Sequence, residues 1–68
     1  MRLHLVTSVT ASGEIRSEYL GPDRLAAQAA YASPSAGAVR ASLYSFLEAT
    51  ASKAVEVAFE IEKPKAKK

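Results

Sequence analysis

Leu3, Leu5, Thr7 and Val9 alternate with Arg2, His4, Val6, Ser8 and Thr10 along the start of the chain. Period two, carried partly on β-branched residues, predicts a half-buried strand. The stretch EIRSEYL alternates in the same way, with Ile15, Ser17 and Tyr19 on one face and Arg16, Glu18 and Leu20 on the other.

Register chooses the loop between these two strands. A two-residue loop at Ser12-Gly13 sets Val9 against Arg16 and Leu5 against Leu20, which brings Arg16 and Glu18 to the apolar face. A three-residue loop, Ala11-Ser12-Gly13, sets Val9 against Ile15 and Leu5 against Tyr19, apolar against apolar throughout. A slip of one residue inverts the faces, so the pattern selects the second register. Such a loop needs a left-handed residue in third place, where Gly13 stands. The expectation is a hairpin with Gly13 at positive φ.

Gly21-Pro22-Asp23 ends the second strand and opens a helix, with proline in the first turn and aspartate at the positive end of the dipole. The following LAAQAAYA has strong helix propensity. Leu25, Ala29 and Ala32 share one face, and an alanine face lets a helix lie close to a sheet. Pro34 and Gly37 stop it.

AVRASLYSFLEATASK supports two readings. As a helix it carries a stripe of Val39, Leu43, Phe46 and Leu47. As a strand it turns Val39, Ala41, Leu43 and Ser45 inward and Arg40, Ser42, Tyr44 and Phe46 outward. Gly37 in the first helical turn, Arg40 near the positive end and Glu48 near the negative end all disfavour the helix, so the strand reading is preferred. In the last segment Val55, Val57, Phe59 and Ile61 alternate with Glu56, Ala58, Glu60 and Glu62, which predicts a strand with one buried and one acidic face, ended by Pro64. The expected fold is a small two-layer α+β domain, an antiparallel ββαββ sheet with one helix packed on one face. The alternative is ββααβ, with a second helix over about residues 38–52.

Length changes this picture little. Sixty-eight residues make one domain with a marginal core. The expected boundaries are a domain over residues 1–62 and a flexible lysine-rich tail over 63–68. The chain has no cysteine, which removes disulfides and thiolate metal sites. The apolar run at the start is broken by His4, Thr7 and Ser8 and reads as a strand rather than a leader. No stretch approaches the roughly 18 apolar residues a membrane span needs, and the expectation is a cytoplasmic protein.

Charge is unevenly placed. Residues 1–62 hold five basic and seven acidic residues, while the KPKAKK tail holds four lysines, Lys63, Lys65, Lys67 and Lys68. The body is acidic by two charges, and the basic balance belongs to the tail. A nucleic-acid-binding domain gathers its basic residues on one face; here they are scattered. The tail reads as an accessory electrostatic arm with weak, non-specific affinity for phosphate backbones.

Candidate chemistry is sparse. His4 is the only histidine and points to the strand face away from the core, so neither a metal site nor a Ser–His–Asp arrangement is expected. Glu56, Glu60 and Glu62 read as a solvated face, and the isolated glycines form no phosphate-cradling loop. Catalytic, cofactor and metal sites are therefore not expected. On the strand reading, Tyr44 and Phe46 join Val6 and Leu20 on the open sheet face. Clustered aromatics without surrounding cations favour a protein partner or self-association over RNA. The functional expectation is a small non-enzymatic interaction module, an accessory or inhibitor protein of phage or mobile-element type. The alternative is a nucleic-acid-associated protein that uses the tail.

Overall fold

The computed structural model describes residues 1–63. It is a small α+β domain with a three-stranded antiparallel sheet and two helices. In chain order these are β1 (Arg2–Thr10), β2 (Ile15–Gly21), α1 (Arg24–Ala32), β3 (Ala38–Leu47) and α2 (Ala51–Glu62), with a 3-10 turn at Glu48–Thr50 leading into α2. The sheet order is β2-β1-β3, so the first strand is the central one.

The hairpin forms in the expected loop register. Val9 pairs with Ile15 and Ser8 with Arg16. The Gly13 N–H donates to the Thr10 carbonyl (2.9 Å) and the Thr10 N–H to the Glu14 carbonyl (2.9 Å). Gly13 adopts φ 91°, as the loop requires. The expected pairing of Leu5 with Tyr19 is corrected. A β-bulge at Glu18 shifts the far half of the ladder, so that Leu5 pairs with Leu20 and Val6 with Tyr19. The extra residue turns the Glu18 carboxylate toward Ser8, whose Oγ donates to it at 2.6 Å. It also places the Tyr19 hydroxyl where it accepts from the Asp23 N–H at the root of α1.

Asp23 caps α1, accepting from the N–H groups of Leu25 (3.0 Å) and Ala26 (3.2 Å). The expected packing face of Leu25, Ala29 and Ala32 points outward instead. Ala27 is buried and Ala26 and Ala30 are half-buried, while Leu25, Ala29 and Ala32 are exposed. The cap and the Tyr19 tether set the rotation of the helix, and its small inward residues bring it down onto the sheet.

Residues 38–47 form the preferred strand, and the alternative helix over 38–52 does not occur. The expected last strand is corrected, and with it both the ββαββ and the ββααβ orders: residues 51–62 are helical. Ala51, Ala54, Val55, Ala58, Phe59 and Glu62 form the inward stripe, while Val57 and Ile61 lie outside it. This is helical spacing. The alternation of Val55 to Glu62 misled because Glu62, a charged residue, is buried while two of the four aliphatic or aromatic positions are not.

The two helices cover opposite faces of the sheet, not one. Arg2, His4, Leu43 and Ser45 line a cleft with Arg24, Ala27 and Gln28 of α1. Glu62 of α2 instead reaches Arg40 and Tyr44, which pair with Val9 and Leu5 on the other face. β1 is thus enclosed from both sides, and His4 through Val9 are all buried. His4 is accordingly no surface residue. It lies under α1 with Nδ1 2.9 Å from Ser45 Oγ.

Candidate protein-binding surface

β3 lies at an edge of the sheet, and α2 runs back along it in the opposite direction. Thr50 and Lys53 stand near Phe46, and the far end of the helix stands over Arg40 and Tyr44. Between strand and helix lies an open apolar groove of about 390 Å³, with Tyr44 and Phe46 as its floor and Val57 and Ile61 as its outer wall. Val57 is 44% exposed and Ile61 64%. One turn apart on the helix, they form a ridge along the β3 edge. Lys53, Glu56 and Glu60 flank that ridge.

One part-buried charge cluster, with Glu62 buried and Arg40 at its exposed rim, holds α2 in place. The Arg40 Nη2 donates to Glu62 Oε1 at 3.0 Å, and the Tyr44 hydroxyl donates to the other carboxylate oxygen. Burial alone would raise the Glu62 pKa. Hydrogen bonds from Tyr44, Ser42 and Arg40, with the Arg40 charge, outweigh that and hold it below the ordinary value. The Tyr44 phenol is pushed up to about 12 by burial and then by the adjacent carboxylate. Tyr44 is therefore a fixed donor at neutral pH. A second acidic node, Glu18, accepts from the hydroxyls of Ser35 and Ser8, each at 2.6 Å, and these bonds lower its pKa. With Arg16, which donates to Ser35 Oγ and the Ala36 carbonyl, it anchors the loop after α1 against β2.

The four residues expected to form one patch are divided. Tyr44 and Phe46 come together in the groove. Leu20 shares their sheet face but lies on β2, across β1 from them. Val6 is fully buried on the opposite face, beneath α1, because both faces carry a helix. Of the expected electrostatic arm, Lys63 lies 3.1 Å from Glu60. Lys65, Lys67 and Lys68 lie outside the described residues. The three glutamates expected on one face separate: Glu56 approaches Lys53, Glu60 pairs with Lys63, and Glu62 is buried.

Sequence reasoning missed Val57 and Ile61, which were assigned to the core, and also Leu43 and Leu47, exposed on β3. The inward helical stripe of residues 51, 54, 55, 58, 59 and 62 was the signal that places Val57 and Ile61 outside. Among the described residues, no group of three or more His, Cys, Asp or Glu is placed to hold a metal ion, and no helix is long and apolar enough to cross a membrane. No protein-family model matches the sequence, and no curated protein or solved structure matches it either.

Proposed function

We propose that this chain is a small non-enzymatic interaction module that binds protein through the β3 edge and the α2 ridge beside it. One observation carries the reading. The Ala41–Leu47 stretch of an edge strand, without a charge, proline or glycine, lies beside an exposed aliphatic ridge. An unpaired strand edge offers backbone hydrogen bonds, and the adjacent groove offers side-chain contacts, the combination used in strand addition. The body's acidic balance and scattered arginines argue against nucleic acid as the main partner of this face.

Site-specific photocrosslinking in cells tests the reading. A benzophenone side chain at position 61 should give a discrete, protease-sensitive adduct that the same group at Tyr31, on exposed α1, does not give. Equal labelling from both positions, no adduct at all, or a nuclease-sensitive adduct would overturn it.

A further inference from the structure

We infer that the occupant of the β3 edge is a second copy of this chain, joined so that two β3 strands pair antiparallel about a two-fold axis at Leu43. This rests on the reading that the β3–α2 face is the binding surface. It adds the identity of the partner and the geometry of the contact.

The two sheet edges are not equivalent. β2 carries Arg16, Glu18 and a bulge, and its side chains hold the loop after α1. Charges and bulges are devices that keep an edge from pairing. β3 is longer, ten residues against seven; it carries Arg40 and a bulge at Val39 near its start, but its Ala41–Leu47 stretch has neither device. An edge of that kind templates strand addition unless it is covered.

The shape of the molecule supplies the area. Its principal extents are 40 × 25 × 10 Å. Three strands about 4.8 Å apart span about 10 Å, so the thin dimension is the width of the sheet. The broad side of the slab is therefore the edge itself, flanked above and below by a helix. A face of 40 × 25 Å can supply the about 800 Å² per partner that stable interfaces bury.

The face is also complementary to itself. Antiparallel pairing centred on Leu43 sets Leu43 against its own copy and brings Leu47 of each chain to the bulged end of the other strand, at Val39. All three are exposed in the single chain. The same axis runs the two α2 helices antiparallel on one side of the joint sheet. α2 contacts both β3 and β1 and so lies above the seam between them. From seam to seam across the new strand pair is two strand spacings, about 10 Å, which agrees with the 8–10 Å between packed helices. The Val57 and Ile61 ridges then meet. The product is a closed six-stranded sheet of order β2-β1-β3-β3-β1-β2, whose only free edges are the two protected ones.

Light scattering coupled to size exclusion, with cysteine crosslinking on the full chain, tests this. The mass should be twice 7.2 kDa, and Leu43→Lys should raise the dimer dissociation constant about thirtyfold or more. If the lysine variant does not fold, crosslinking decides. The chain has no cysteine, so the thiol introduced by Leu43→Cys meets only its own counterpart. The Leu43→Cys variant should be captured as a dimer by a short bis-thiosulfonate linker, while Ser17→Cys on the β2 edge should not. A monomer at high concentration with no crosslink in the Leu43→Cys variant, a mass above the dimer, or preferential capture of the Ser17→Cys variant would overturn the inference. In the monomer case the photocrosslink from position 61 separates the two claims. An adduct with a different protein leaves the interaction module standing with another partner, and the absence of any adduct removes both.

Discussion

The Tyr44 hydroxyl donates to the Glu62 carboxylate and so ties the middle of β3 to the last turn of α2. Glu62 is only 5% exposed, and the Arg40 guanidinium and the Ser42 hydroxyl join that phenol around it. The groove floor and the helix that walls it are thereby one unit. Any change at this bond moves Val57 and Ile61 relative to Phe46.

Tyr44→Phe should lower stability by about 1.5–3 kcal/mol, the usual worth of a hydrogen bond to a charged group. Arg40→Met should cost less, because the Arg40 side chain is 56% exposed and solvent screens its charge. Urea denaturation of the single variants and of the double variant measures both effects and their coupling. A loss below about 0.5 kcal/mol for Tyr44→Phe would show that the Tyr44 hydroxyl does not hold α2.

Acid should loosen α2. The folded-state Glu62 pKa lies below its ordinary value of 4.5, so its contribution is present above that value and is lost as pH falls through the folded pKa. Glu18 shifts in the same direction, so Glu62→Gln should flatten the acid slope without abolishing it. Tyr44 acts at the other end of the scale. With its pKa raised from 10.0 to about 12, its contribution is complete below the lower figure and is lost as pH rises through the higher one. Urea midpoints across the pH range check both limbs, and an acid slope unchanged in Glu62→Gln would contradict the assignment.

Thr7→Val should stabilise the protein by about 1 kcal/mol. Thr7 is fully buried in β1, and its hydroxyl finds no hydrogen-bond partner among the described residues. Valine keeps the shape and removes the desolvated oxygen. Thermal melts of the two proteins decide the matter; a lower melting temperature in the variant would mean that the hydroxyl is satisfied in solution.

Nucleic-acid binding, where it occurs, should depend on the lysines of the tail. Four tail lysines neutralise at most about four phosphates, so the log–log salt slope on duplex DNA should be no steeper than about −4. Removing residues 63–68 should abolish binding. Sequence-specific binding that survives the truncation would assign that activity to the folded body.

The hairpin loop was legible because two independent signals, face matching of Val9 with Ile15 and the left-handed requirement at Gly13, agreed on one register. β3 was legible from the charges at its ends, which oppose a helix dipole. The bulge at Glu18 left no mark in the alternation, since its reason is a tertiary one, the reach to Ser8 and Ser35. The greatest departure came at α2. Valine, phenylalanine and isoleucine at every second position suggest a strand only if all of them are buried, and burying Glu62 against Arg40 and Tyr44 breaks that premise. The binding surface was half legible for the same reason. Tyr44 and Phe46 follow from the strand pattern, whereas Val57 and Ile61 become surface only once the helix is known.

β1 precedes β2 and β3 in the chain and is the central strand of the sheet, and this order governs when the sheet can form. β2 follows it at once, but a two-stranded hairpin is marginal in water. β3 joins β1 only after α1 has crossed the face between them, and the Glu48 N–H then closes on the Met1 carbonyl at 2.8 Å. The decisive contact thus links the two ends of the sheet-forming sequence, a long loop closure that slows folding and concentrates it into one late step. A nascent chain halted before Ala38 presents Leu5, Val6 and Val9 with neither β3 nor α2 to enclose them. Such a fragment is a substrate for chaperones and proteases rather than a smaller version of the domain.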